Sequence, residues 1–112
     1  MQNNNVPSPI RVVLDAMGGD YGPRETIKGA VEALNKDSEL EVILVGDEAP
    51  LRVELEGYDL SGKTVSVVPS EGKIGDDEHP IRALRQKPRS SIMVATRMLK
   101  NGEADTLVSM GS

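Results

Sequence analysis

Four short apolar runs alternate with helix-forming stretches along this chain, and that alternation narrows the folds open to it. Ile10-Arg11-Val12-Val13-Leu14 is rich in β-branched residues and ends at Asp15. Leu40 to Val45 is a second such run, Thr64 to Val68 a third (ended by Pro69), and Ala104 to Ser109 a fourth. Short runs of this kind read as buried strands. Between the first two, Ile27, Ala30, Val31 and Leu34 fall at i, i+3, i+4 and i+7, one face of a helix ending near Lys36. Pro23 suits its first position, where a missing N–H costs nothing. A second helix is predicted over Glu48 to Glu56, with Leu51 and Leu55 inward and Gly57 as its stop. A short helix from Pro80 to Lys87 is broken by Pro88, and a last one, Ile92 to Asn101, begins at Ser90-Ser91 and stops at Gly102. The order is strand, helix, strand, helix, strand, helix, helix, strand. It predicts an α/β fold: a three-layer, Rossmann-like sandwich with a mostly parallel sheet covered by helices on both faces.

Composition excludes several kinds of chemistry. The 112 residues include two Tyr, no Phe, no Trp, no Cys and one His. A base-stacking surface needs several exposed rings, so nucleic acid is not an expected partner. Disulfides, thiolate zinc sites and a cysteine nucleophile are ruled out, and a Ser-His-Asp triad is improbable. Ile, Leu and Val number 28, enough for a core and too many for a disordered chain. Met1 to Pro9 is polar and carries no Lys or Arg, so it lacks the parts of a signal peptide and reads as a disordered tail. No apolar run exceeds four residues, far short of the roughly twenty a membrane span needs. The expected compartment is the cytoplasm.

In an open parallel sheet, ligands bind beyond the carboxyl ends of the strands. Here those ends carry Asp15 with Gly18-Gly19-Asp20, then Gly46-Asp47, Pro69-Ser70, and Ser109-Met110-Gly111-Ser112. Glycines let a ligand approach the backbone, and successive N–H groups can cradle phosphate. Turn residues also follow strands in any α/β protein, and position alone favours that reading. Neither G-x-G-x-x-G nor G-x-x-x-x-G-K-[ST] occurs, so the two common nucleotide motifs are absent. Asp15, Asp20 and Asp47 could hold Mg²⁺ through oxygen, but capping the following backbone is the commoner task of Asp after a strand, and no metal site is assigned. Ser90-Ser91 puts hydroxyls beside free N–H groups at a helix start, which serves for capping and offers an anion site. His79, alone in a polar loop, reads as a surface residue.

Charge is segregated. From Pro80 to Gly102 there are six cations (Arg82, Arg85, Lys87, Arg89, Arg97, Lys100) and no acid, whereas the rest carries seven cations and 18 acids. The segment either steers an acidic partner or phosphate, or is a pair of solvated helix faces with cations near their C-termini.

Val13-Leu14-Asp15-Ala16-Met17-Gly18-Gly19-Asp20 resembles the amino-terminal signature of the bacterial phosphate acyltransferases of phospholipid synthesis, the PlsX family. Glu41 to Asp47 looks like that family's second strand. Asp77-Glu78-His79-Pro80 with Arg82-Ala83-Leu84-Arg85, then Ser90-Ser91-Ile92, Asn101 to Asp105, and Ser109-Met110-Gly111-Ser112 follow in the family's order. The resemblance covers nearly all of the chain after the first nine residues. It implies a fold like that of phosphotransacetylases and isopropylmalate dehydrogenases. It implies transfer of a fatty acyl group from acyl-acyl carrier protein to inorganic phosphate, with no organic cofactor. It further implies a homodimer and peripheral attachment to the membrane.

By position, the resemblance makes Asp15, Gly18, Gly19, Asp20, Ser90, Ser91, Gly111 and Ser112 candidates for binding substrate or phosphate, and leaves the catalytic residues unassigned. It makes Arg82, Arg85, Lys87 and Arg89 candidates for docking the acidic acyl carrier protein. A coenzyme A-using phosphotransacetylase-like enzyme and a non-catalytic module binding phosphate or acyl carrier protein are the alternatives. Length alone suggests one small domain. The family's pattern continues past Ser112, so residues 10–112 are expected to be the amino-terminal, truncated part of a catalytic domain.

Overall fold

A computed structural model of the chain describes residues 9–17, 22–70 and 90–109. Four strands and three helices alternate: β1 (Ile10–Asp15), α1 (Gly22–Lys36), β2 (Leu40–Gly46), α2 (Glu48–Leu55), β3 (Thr64–Pro69), α3 (Ser91–Lys100) and β4 (Thr106–Ser109). The strands form one sheet in the order β3-β2-β1-β4, every pair parallel. Val12 lies opposite Val42 on β2 and Thr106 on β4, and Asp15 lies opposite Val45 and Ser109.

The order fixes where the helices go. From β1 through β2 to β3 the chain steps toward one edge, then returns across β1 to lay down β4. Right-handed crossovers place helices on opposite faces when the direction of stepping reverses. One core layer accordingly joins Leu14, Val42 and Leu44 of the sheet to Ile27, Ala30, Val31 and Leu34 of α1 and Leu51 of α2. The other joins Val13, Ile43 and Val45 to Ala95 of α3 and to Ala104. The central strands β1 and β2 are apolar on both faces and covered on both, the pattern expected of a parallel sheet, whereas β3 and β4 are more exposed. Ile27, Leu44, Leu51, Val13 and Val45 are fully buried, and each such side chain contributes about 1.5–3 kcal/mol by leaving water. This is the three-layer α/β arrangement expected from the alternation.

β3 is an edge strand, which is why Pro69 fits in it: the missing N–H falls on a side that needs no partner. On the α1 face, α1 and α2 lie over β2 and β3, leaving an apolar groove of about 270 Å³ beside α1, floored by Val12, Leu14 and Val108 and walled by Gly29 and Ala33.

At the opposite end of the sheet from the strand carboxyl ends, Arg11 ties β1 to the exit of α3. Its guanidinium donates to the Gly102 carbonyl (2.7 Å) and to both carboxylate oxygens of Asp105 (3.3 and 3.4 Å), and its backbone N–H donates to Asp105 Oδ2 (2.8 Å). Gly102 takes φ +78°. The Glu103 N–H reaches the Met98 carbonyl and the Gly102 N–H the Leu99 carbonyl, a Schellman ending with Gly102 at C′ as the sequence suggests.

Two sequence expectations need correction here. Gly57 follows α2 but does not take a positive φ; the left-handed glycine of that connection is Gly62, in the turn before β3. β4 starts at Thr106 rather than Ala104, because Ala104 packs into the core under α3 and Asp105 is engaged by Arg11. The predicted helix from Pro80 to Lys87 and the polar tail before Pro9 lie outside the described residues.

Candidate functional site

The reversal of strand order falls between β1 and β4, so the crevice at their carboxyl ends is the topological switch point, where open α/β sheets bind ligands. Asp15 stands on one side of it and Ser109 on the other. Asp15 is 5% exposed. Its Oδ1 accepts the Met17 backbone N–H (3.1 Å), and its Oδ2 accepts the Ser109 hydroxyl (3.2 Å). The first bond is an Asx turn, the capping role expected of Asp after a strand. The second bridges the switch point.

α3 supplies the ceiling. Ala95 and Val13 share one core layer. One turn back along α3, about 6 Å toward its N-terminus, is Ser91. Two residues forward along β1, about 7 Å toward the carboxyl end, is Asp15. Because α3 runs antiparallel to the strands it connects, Ser91 begins it at the carboxyl end of the sheet, the end at which Asp15 closes β1. Ser91 is buried on the same helix face as Ala95.

Ser90 holds the N-cap position with extended backbone (φ −63°, ψ 157°), yet its side chain makes no cap hydrogen bond. The expectation that this hydroxyl caps the helix is therefore corrected. Ser90 and Ser91 are 0% and 1% exposed, and neither hydroxyl has a partner among the described residues. The Ser70 hydroxyl, at the end of β3, is also buried without one. A buried hydroxyl left unpaired costs about 1–3 kcal/mol, so two on successive residues at a helix N-terminus call for an explanation. That end of a helix presents free N–H groups and the positive end of the helix dipole. Hydroxyls and N–H groups at that end of the helix can both donate to an anion.

A second device holds Met17, just after β1. The Asp47 N–H donates to the Met17 sulfur (3.3 Å), and a Cβ on Gly46 would lie 2.9 Å from that sulfur and 3.0 Å from Leu51 Cδ1. Glycine at 46 lets the Met17 side chain lie on the end of β2. Asp47 itself makes no side-chain cap to α2. Among the described residues no group of three His, Cys, Asp or Glu could hold a metal ion.

Of the candidates taken from the sequence, the structure describes Asp15 at the carboxyl end of β1 and Ser90 and Ser91 at the N-terminus of α3, which starts from the same end of the sheet. Gly18, Gly19, Asp20, Gly111 and Ser112 lie outside the described residues, as do His79, Arg82, Arg85, Lys87 and Arg89. Arg97 and Lys100 occupy the last turn of α3, the far end from the crevice, so for these two the solvated, dipole-favoured reading holds. Met17 is an addition, while Ser109 and Gly46, which the sequence places only at strand ends, gain contacts: Ser109 with Asp15, and Gly46 with Met17. The parallel register of β4 with β1 puts Ser109 opposite Asp15.

Comparison with known proteins decides the family. The family described as "Fatty acid synthesis protein" matches residues 10–112. The chain belongs to that family. It is 48% identical over 103 residues to the phosphate acyltransferase of Pelotomaculum thermopropionicum, covering 92% of this chain and 30% of that protein. It is 45% identical to the phosphate acyltransferase of Desulforamulus reducens (92% and 30%) and 38% identical to that of Clostridium novyi (92% and 31%). The chain thus spans under a third of the length of these relatives. The resemblance read from the D-A-M-G-G-D string and the blocks after it is borne out.

Proposed function

We propose that the protein is a phosphate acyltransferase, forming acyl phosphate from acyl-acyl carrier protein and inorganic phosphate in phospholipid synthesis. The observation that carries this reading is the pair of buried, unpartnered hydroxyls of Ser90 and Ser91 at the N-terminus of α3, set above the crevice between β1 and β4. They supply donors for a phosphate without calling on Cys or His. Phosphate is itself the nucleophile, so no covalent enzyme intermediate is required. Backbone N–H groups aimed at the crevice can also stabilise the oxyanion that forms when phosphate adds to the thioester carbonyl.

Gly18, Gly19, Asp20, Gly111 and Ser112 belong to the loops that flank this crevice in sequence and complete the proposed phosphate site. Arg82, Arg85, Lys87 and Arg89 give an acidic carrier protein a basic docking segment. The same reading includes a homodimer, a cytoplasmic enzyme attached peripherally to the membrane, and no organic cofactor.

The test is acyl phosphate formation by the full-length protein, with acyl-acyl carrier protein and with acyl-coenzyme A as donors. Product from the carrier protein alone supports the proposal. Product from coenzyme A alone assigns the phosphotransacetylase-like alternative. Binding of phosphate or carrier protein without product assigns the non-catalytic module.

A further inference from the structure

We infer that Asp15 makes the oxyanion site selective for a tetrahedral oxyanion that still carries a proton, so that hydrogen phosphate is admitted and sulfate refused. This rests on the reading of the α3 N-terminus as the phosphate site and adds a specificity-determining residue to it.

The inference begins from an apparent contradiction. An anion site built of helix N–H groups and hydroxyls gains nothing from a buried carboxylate, and like charges at close range repel. Yet Asp15 is 5% exposed and ends β1 at the carboxyl end of the sheet, where α3 begins with Ser91, itself 1% exposed and with a hydroxyl unpartnered among the described residues. Had Ser91 been there only to satisfy Asp15, the two would be hydrogen-bonded. Instead, the Asp15 oxygens take the Met17 N–H and the Ser109 hydroxyl. Those two bonds fix the orientation of the carboxylate at the switch point. Each carboxylate oxygen has a further acceptor position.

An oxyanion with one O–H resolves the conflict. Its unprotonated oxygens take the α3 N–H groups and the hydroxyls of Ser90 and Ser91, and its O–H donates to Asp15. Sulfate has the same charge and nearly the same shape as hydrogen phosphate but no proton to donate. Against sulfate the carboxylate is an unpaired charge facing an anion, which is specificity through a built-in repulsion. A site built to pair with a substrate hydrogen-bonding group strongly rejects the analogue that lacks it.

The experiment measures binding of phosphate, arsenate and sulfate to the full-length protein by calorimetry, at one ionic strength and mildly alkaline pH. Phosphate and arsenate are expected to bind, with sulfate at least tenfold weaker. Asp15→Asn, which can donate as well as accept, is expected to raise sulfate affinity relative to phosphate by tenfold or more. Equal binding of sulfate and phosphate by the unaltered protein would overturn the inference, and that comparison needs no variant to fold. An unchanged ratio in a folded Asp15→Asn protein would overturn it too. Acyl phosphate formation separates the two levels. Turnover with no discrimination sinks the role of Asp15 and leaves the function standing, whereas discrimination without turnover does the reverse.

Discussion

The Ser109 hydroxyl donates to Oδ2 of Asp15 across 3.2 Å, joining the carboxyl ends of two strands whose residues are 94 positions apart in the chain. The bond spans the place where strand order reverses, so it closes the floor of the crevice as well as pairing a buried carboxylate. Ser109→Ala removes the donor and leaves the carboxylate with one bond fewer. A hydrogen bond to a charged group is worth about 1.5–3 kcal/mol. The exposure of Ser109 lets water replace part of it, so the expected loss is about 1 kcal/mol. A fall in the thermal midpoint of the full-length protein checks it; an unchanged midpoint would show that water replaces the hydroxyl fully.

Ser91→Ala is expected to act in the opposite direction when no anion is present. The hydroxyl is buried without a partner, so its removal relieves a desolvation penalty of about 1–3 kcal/mol at the cost of a small void. The variant should melt at the same temperature as the parent or slightly higher in phosphate-free buffer. It should also gain less from added phosphate, since the stabilisation a ligand confers follows its affinity. A serine that only packs would show the first effect without the second. Melting curves with and without phosphate distinguish them.

Much of this was legible in the sequence, for reasons that can be stated residue by residue. The β-branched runs around Val13, Val42 and Val67 and the i, i+3, i+4, i+7 spacing from Ile27 to Leu34 are local signals, and the elements they predict are present. Gly102 was readable as a helix stop because a left-handed residue is needed there and glycine adopts it freely. Spatial strand order is not local. That β4 lies beside β1 rather than β3 depends on where α3 packs, so the meeting of Asp15 and Ser109 could not be read from either segment alone. The capping expected of Ser90 fails for a related reason: serine before a helix usually caps it, and only the packed structure shows the hydroxyl buried and unpaired among the described residues. The contact of Met17 with Gly46 and Asp47 joins the ends of two strands and leaves no local signal in either segment.

Asp105 carries a prediction about acid. Its carboxyl is held below the usual carboxylate range, chiefly by the Arg11 backbone N–H and then by the Arg11 side chain. A carboxyl with a folded pKa below its unfolded value stabilises the fold above the unfolded value, and that contribution disappears as pH falls through the folded value. Asp105→Asn should therefore be less stable than the parent at neutral pH, and the gap should close as pH is lowered through about 4 and below. The comparison is of thermal midpoints across a pH series. A gap independent of pH would mean that the backbone contacts at this position, rather than the charge, carry the effect.

Gly46 and Met17 offer a test of how firmly the loop after β1 is held. Gly46→Ala puts a methyl group 2.9 Å from the Met17 sulfur and 3.0 Å from Leu51 Cδ1. Leu51 is fully buried, so little of the strain can be relieved there. Met17 is flexible and is the side that yields, but moving it takes the sulfur away from the Asp47 N–H that it accepts. Overpacking of this kind costs about 1–3 kcal/mol. The displacement is passed to the loop that begins at Asp15, so phosphate binding should weaken along with stability. In a Met17→Ala background the same glycine substitution meets only Leu51 and should cost less, with a coupling of about 0.5 kcal/mol or more, as expected for residues in contact. Thermal midpoints of the two single variants and the double variant measure that coupling directly. Strict additivity would show that Gly46 is required by Leu51 alone, and that Met17 does not transmit strain from the end of β2 to the crevice.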